Sequence, residues 1–186
     1  MKHFFDFCFG VILLIVLSTP MLIIALTIRI TSKGPVIFWS DRVGLSGKIF
    51  SMPKFRTMFV NTEVLATDKL NNPNESITSI GRFLRKYSLD ELPQLFLIIK
   101  GSMSFVGPRP ALFNQTELIE LRKNGGLDQV LPGLTGWAQV NGRDKISNAE
   151  KVALDLEYMF YKSFWFDIKI LLITFVTVLK SADVSH

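Results

Sequence analysis

Apolar positions are gathered towards the two ends of this chain, with a polar stretch between them. Residues 4–30 are almost continuously apolar, broken by Asp6, Arg29 and the triplet Ser18-Thr19-Pro20. As a straight helix, residues 7–28 would measure about 33 Å at ~1.5 Å per residue, enough for a bilayer core of about 30 Å. A secretory signal peptide fits poorly, because the apolar run is too long and no small-residue cleavage site follows it. Pro20 removes a backbone donor and clashes with the carbonyl of Val16, which predicts a bend near mid-membrane. Ser18 and Thr19 can hydrogen-bond the carbonyls so freed, making the bend tolerable in lipid. Each half alone is too short to span. Lys2 flanks one end and Arg29 with Lys33 the other, and basic flanks favour the cytoplasmic side. A single spanning helix and a hairpin that enters and leaves by one face both satisfy this pattern.

The second apolar stretch, residues 164–179, reads as a helix with Trp165 and Phe166 near its start. It suits either the membrane interface, aromatics at headgroup depth, or a C-terminal core helix. Between the two stretches, residues 36–39 and 48–51 are short runs rich in β-branched and aromatic residues. Leu45-Ser46-Gly47 separates them, which predicts a β-hairpin. Residues 67–78, containing Asn71-Asn72-Pro73-Asn74, have loop composition. Ile77, Ile80, Leu84 and Tyr87 then recur at helical spacing as one apolar stripe, with Arg82, Arg85 and Lys86 off it. Pro93 is best placed in a helix's first turn, which puts Asp90 near an N-cap and Glu91 at the first helical position. A capping box between Ser88 and Glu91 is the alternative.

Composition narrows the chemistry. With 186 residues, the chain is about one domain. A hydrophobic share of 48% against 20% charged, and a mean hydropathy of +0.32, point to a membrane. The net charge of +5 favours anionic partners: lipid headgroups, phosphates or nucleic acid. Histidine occurs only as His3 and His186, which argues against a Ser-His-Asp triad or a histidine-rich zinc site. Cys8 stands alone in an apolar run, so there is no disulfide framework, and it reads as a small buried hydrophobe. Any chemistry must come from carboxylates, hydroxyls, amides and cations.

Ser88-Leu89-Asp90-Glu91-Leu92-Pro93-Gln94-Leu95 offers such chemistry. Acidic residues at a helix start are common caps. Two adjacent ones can also divide labour, one as nucleophile and one as ligand to a hard cation such as Mg²⁺, with free backbone N–H groups favouring a phosphate. Arg85 and Arg109, the latter stiffly presented between Pro108 and Pro110, are candidates to offset phosphate charge. Beyond the turn-rich Pro132-Gly133-Leu134-Thr135-Gly136-Trp137, Gln139, Asn141 and Arg143 alternate. An extended segment would set them on one side, where amides plus arginine can read a base or sugar; a plain polar turn is the alternative. No Walker A, GxGxxG or HExxH pattern is present.

Lys54-Phe55-Arg56-Thr57-Met58, residues 88–95, Gly101-Ser102-Met103-Ser104-Phe105-Val106-Gly107-Pro108-Arg109-Pro110 and residues 132–143 occur in that order behind the apolar leader. This ordered set, covering nearly the whole chain, resembles the bacterial sugar transferase family, the monotopic polyprenyl-phosphate phosphoglycosyl transferases. The chain looks like the small form, with no extra transmembrane bundle in front. The resemblance implies a mainly α fold with a small β-hairpin. Residues 1–32 would be a re-entrant membrane helix hairpin bent at Ser18, Thr19 and Pro20, with Thr19 where the family often has serine. Residues 33–186 would be a cytoplasmic, membrane-associated catalytic domain with interfacial amphipathic helices. It further implies that Asp90 is the nucleophile and Glu91 helps hold Mg²⁺. Lys54, Arg56, Arg85 and Arg109 would surround the phosphates, and Gln139 and Arg143 would serve the nucleotide. The reaction implied moves a sugar-1-phosphate from a UDP-sugar to polyprenyl (undecaprenyl) phosphate through an aspartyl-phosphosugar, at the cytoplasmic face of the bacterial inner membrane. Its partners would be the donor, the acceptor and membrane lipids, with no nucleic acid. A non-catalytic membrane-tethered scaffold binding lipid or nucleic acid is the rival reading.

Overall fold

Thirty residues at the start of the chain form one helix, α1 (Lys2–Thr31), with Pro20 inside it. The computed structural model describes residues 2–60, 62, 76–142 and 146–180. Near the proline, the Ser18 hydroxyl donates to the Ile15 carbonyl at 2.7 Å, one residue before the Val16 carbonyl that Pro20 leaves without its donor. Among the described residues, α1 is the helix long and apolar enough to cross a membrane. Much of it faces outward, with Phe4, Ile15, Val16, Leu22 and Ile30 exposed. One stripe nevertheless packs inward. Phe9, Leu13 and Leu17 lie against the core around Ile98 and Phe105, and Met21, Ile24 and Ile28 against Phe55 and Leu84.

The predicted hairpin is present and longer than the apolar runs suggested. Strands β1 (Ile37–Val43) and β2 (Ile49–Phe55) pair antiparallel from Ile37↔Phe55 to Val43↔Ile49, around the turn at Leu45–Gly47. Helix α2 (Ser79–Lys86) carries Leu84 into the core, as the stripe predicts. It starts later than that stripe, because Thr78 is its N-cap and Ile77 pairs with Met58 instead. A 3₁₀ turn (Leu89–Gln94) runs into the short α3 (Leu95–Ile99). Residues 67–75 of the predicted loop lie outside the described residues.

A feature with no sequence signal follows. β3 (Ser104–Val106) pairs in parallel with β4 (Gly133–Thr135), and α4 (Thr116–Asn124) lies in the connection. The two strands approach closely at glycines: a Cβ on Gly107 would stand 2.4 Å from the Leu131 carbonyl oxygen. The extended segment expected to carry Gln139, Asn141 and Arg143 begins instead in a one-turn helix, α5 (Trp137–Val140), with Asn141 just after it. Helices α6 (Asn148–Tyr161) and α7 (Phe164–Lys180) close the fold. On α7, Ile170 is fully buried while Trp165, Leu172, Phe175 and Leu179 are exposed, so the helix has both a core face and an apolar outer face.

Buried polar bonds tie both ends of α1 to this body. Lys2 pairs with Asp167, whose other oxygen accepts from Tyr158 at 2.8 Å, and Ser104 Oγ donates to Asp6 Oδ2 at 2.8 Å. At the other end, Arg56 donates to the carbonyls of Lys33 (2.7 Å) and Ser32 (3.0 Å) and to the Ser32 hydroxyl (2.7 Å). A guanidinium there satisfies oxygens that the helix end leaves unpaired. The fold is thus mainly helical with one small antiparallel hairpin and one N-terminal apolar helix.

Candidate active site

The acidic pair sits where three-residue periodicity brings it. In a 3₁₀ turn, residues three apart eclipse, so Leu89, Leu92 and Leu95 form one face. Leu89 and Leu92 pack on the cluster of Ile28, Phe55 and Leu84, and Leu95 enters the main core. With that face held down, Asp90 and Glu91 turn towards β2, each 8% exposed. The chain enters the turn through Ser88, at φ 54°, a conformation that non-glycine residues seldom adopt. Ser88 makes no side-chain cap, and Asp90 is the second residue of the turn rather than its cap. Both capping readings are therefore corrected: Ser88 is left-handed where a capping residue is extended, and Asp90 already lies inside the turn.

The two carboxylates are held differently. Glu91 Oε1 takes Lys54 Nζ at 2.7 Å and an Arg109 guanidinium nitrogen at 3.0 Å. Lys54 Nζ is 3.8 Å from Asp90 Oδ2, beyond hydrogen-bond length. Burial raises the Asp90 pKa above its ordinary value, and the neighbouring Glu91 adds to it. Lys54, Arg85 and Arg109 pull the other way. Glu91 is locked to Lys54 and Arg109, and among the described residues Asp90 is buried among cations with no cation at hydrogen-bond distance.

The structure brings together Lys54, Arg85, Asp90, Glu91 and Arg109 of the predicted set. It places the others elsewhere. Arg56, 5% exposed, is engaged by the end of α1. Gln139 donates to the Leu134 carbonyl at 3.0 Å, and Asn141 to the Trp137 carbonyl at 2.8 Å, so both brace their own turn. Because residues 137–140 are helical, positions two apart no longer share a side. Ser18, Thr19 and Pro20 lie on exposed α1. Arg143 lies outside the described residues.

Two groups escaped sequence reasoning. Arg42 donates to Ser40 Oγ at 3.0 Å and to the Pro110 carbonyl at 3.1 Å. Burial, then the like charge of Arg109, lowers its pKa to about 10, with Glu91 opposing. The pairings Phe38↔Lys54 and Arg42↔Phe50 put Arg42 on the same hairpin face as Lys54; strand alternation was the available signal once the register was known. The second is Arg122, which donates to the Arg109 carbonyl at 2.6 Å while pairing with the buried Asp155 at 2.6 Å. Burial raises the Asp155 pKa against the pull of Arg122. Arg122 and Arg42 thereby hold two successive carbonyls, those of Arg109 and Pro110, at the backbone that carries the Arg109 side chain. Their spacing in sequence contains no hint of this.

Among the described residues no three His, Cys, Asp or Glu side chains gather as a metal cage. Mg²⁺ usually needs only one or two carboxylates when substrate phosphates supply other ligands. Two buried, adjacent carboxylates fit that donor chemistry.

The sequence profile of the family described as bacterial sugar transferase matches residues 1–181. The chain is 41% identical over 189 residues to the UDP-glucose:undecaprenyl-phosphate glucose-1-phosphate transferase of Escherichia coli (strain K12), covering 97% of this chain and 40% of that protein. It is 40% identical over 200 residues to the undecaprenyl-phosphate galactose phosphotransferase of Salmonella typhimurium, covering 97% of this chain and 40% of that protein. It is also 40% identical to an uncharacterized sugar transferase, EpsL, of Bacillus subtilis, covering all of this chain and 91% of that one. The chain thus spans well under half the length of the first two relatives and nearly all of the third.

Proposed function

The chain belongs to the bacterial sugar transferase family, and we propose that it transfers a sugar-1-phosphate from a UDP-sugar to polyprenyl phosphate. The observation that carries this reading is the unequal holding of the acidic pair, with Glu91 clamped by Lys54 and Arg109 and Asp90 left unclamped beside it. A carboxylate needs no histidine to become nucleophilic. An oxygen of Asp90 attacks the β-phosphorus of the donor. The bond from that phosphorus to the bridging oxygen breaks, and UMP leaves with the electron pair. The sugar phosphate remains as an acyl phosphate on Asp90. An oxygen of polyprenyl phosphate then attacks the same phosphorus, releasing the Asp90 carboxylate and forming polyprenyl diphosphate-sugar. Lys54, Arg85 and Arg109 offset charge on the phosphoryl oxygens, where fixed cations outperform reorganising water. Glu91 is the carboxylate assigned to Mg²⁺, whose chemistry when bound is to neutralise phosphoryl charge.

A polyprenyl phosphate acceptor supports a position at the bacterial inner membrane, and a nucleotide-sugar donor supports its cytoplasmic face. A re-entrant α1 is supported by its two ends: Lys2 and Ser32 both bond to the same polar body, and one body lies on one side of a bilayer. Residues 1–32 are then the membrane element and 33–186 the cytoplasmic catalytic part, with the exposed Phe160, Trp165 and Phe175 meeting lipid headgroups. Replacing Asp90 by Asn tests the chemistry. The variant abolishes turnover and the covalent sugar-phosphate adduct that intact-protein mass spectrometry detects with UDP-sugar alone. Full activity in Asp90→Asn removes the nucleophile from the scheme.

A further inference from the structure

Where the start of α1 meets α6, α7 and β3, one proton faces two acceptors. The Tyr158 hydroxyl lies 2.8 Å from Asp167 Oδ1 and 3.1 Å from the Val106 carbonyl oxygen. A phenol carries a single hydrogen to donate, so it serves one acceptor or is divided between them. Lys2 bears on that choice twice: its ammonium pairs with Asp167 and reaches the Tyr158 oxygen at 3.3 Å. We propose that Tyr158 is a positioning residue for Arg109, and that Lys2, when the start of α1 is seated, directs the Tyr158 proton to the Val106 carbonyl. The inference rests on the functional reading above, in which Arg109 serves the phosphates.

Three observations carry it. The first is place. Val106 ends β3, and Gly107 and Pro108 lead directly to Arg109. On the far side the carbonyls of Arg109 and Pro110 are held by Arg122 and Arg42, and on the entry side Tyr158 reaches the carbonyl of Val106. Gly107 between them has no room to absorb a shift. A Cβ there would stand 2.4 Å from the Leu131 carbonyl oxygen, and its N–H donates to the Thr135 carbonyl at 2.9 Å. The second is burial. Tyr158 and Val106 are each 1% exposed, so water has little access to replace a lost bond. The third is charge. A bare carboxylate is a stronger acceptor than a carbonyl, and without Lys2 the Asp167 carboxylate takes the proton. The Lys2 ammonium balances that carboxylate and polarises the phenol, and both effects favour donation to Val106. Asp6, the other buried acid at this end of α1, accepts from the Ser104 hydroxyl instead, at 2.8 Å. Seating of α1 and the aim of Arg109 thus form one equilibrium, and a molecule with α1 unseated does not consume donor away from the acceptor.

The test uses full-length protein in nanodiscs. It compares Tyr158→Phe, which keeps the ring stacked on Phe166, with Lys2→Met and with Lys2→Met combined with Asp167→Asn. Amide hydrogen exchange at Gly107, Arg109 and Ala111 is read beside the KM for UDP-sugar in adduct formation. In Tyr158→Phe and in Lys2→Met both rise by about fivefold, the worth of one hydrogen bond between neutral groups. At saturating donor the adduct forms as in the parent. Lys2→Met adds nothing further in the Tyr158→Phe background. Adding Asp167→Asn to Lys2→Met restores both values although the ion pair is still absent, because an amide oxygen competes less well for the proton. A Lys2→Met defect that Asp167→Asn leaves unrelieved overturns the proposal, since the group then only fastens α1. Tyr158→Phe indistinguishable from the parent in both readouts also overturns it. A parent that forms no adduct with any UDP-sugar fails the functional reading itself, and the exchange rates still decide the coupling.

Discussion

A guanidinium taken out of water needs partners, and Arg42 has one in its own strand, the Ser40 hydroxyl, and one in the Arg109 loop, the Pro110 carbonyl. Its proton is held less tightly than usual, because burial and Arg109 both disfavour the charge. That cost is tolerated where the cation fixes a loop bearing another cation. Arg42→Met leaves the Pro110 carbonyl without its donor, and the expected effect is a loss of about 2 kcal/mol of stability, read from chemical denaturation in detergent. The KM for the donor rises more than the KM for the acceptor. At this scale the acidic pair, Lys54, Arg85 and Arg109 were legible from residue type and order. Arg42 and Asp155 were not, since one depends on strand register and the other on which helix face meets Arg122.

Among the elements, the hairpin and the long helices follow from periodicity, and the departures occur where packing overrides it. The 3₁₀ turn is one: Leu89, Leu92 and Leu95 bury together only at three residues per turn, and this swings Asp90 and Glu91 onto β2. Residues 137–140 are another, since alternating polarity promised an extended run and the chain coiled beside β4 instead. The docking of α1 is a third. Asp6, a charge inside an apolar run, is 3% exposed and accepts from the Ser104 hydroxyl, joining α1 to the strand that leads to Arg109. Ser104→Ala strips the donor from a buried carboxylate. A destabilisation of about 2 kcal/mol is expected, measured by thermal melting in detergent micelles. Ser104→Thr, which keeps the hydroxyl, recovers part of it.

For the molecule as a whole, the question is on which side of a bilayer each end of α1 lies. Partly buried Phe9 and Leu13 pack on one cluster and buried Ile28 belongs to another, so one stripe of α1 meets the folded body near both of its ends. A spanning helix would need one of its ends to leave the body, breaking either the Lys2–Asp167–Tyr158 group or the Arg56 clamp. The Tyr158 phenol, raised in pKa by burial and by Asp167, stays neutral within that group and keeps donating. In a Cys8→Ala background, His3→Cys and Lys33→Cys are expected to react alike with a membrane-impermeant maleimide. Both label in inside-out vesicles and neither in right-side-out ones; labelling of one in each refutes the re-entrant arrangement.

Sequence alone determined the apolar leader, the hairpin, the helical balance of the chain, the histidine-poor chemistry and the acidic pair with its cations. These are properties of residue type and short-range spacing, and water imposes them locally. Tertiary structure decided which carboxylate is clamped, that Arg56 serves α1, that Gln139 braces its own turn, and that the Tyr158 hydroxyl meets the Val106 carbonyl. Each of these depends on side chains far apart in sequence meeting at specific distances. Such meetings are set by how leucine faces, strand register and close glycine contacts pack at once, and no stretch of the chain holds that information by itself.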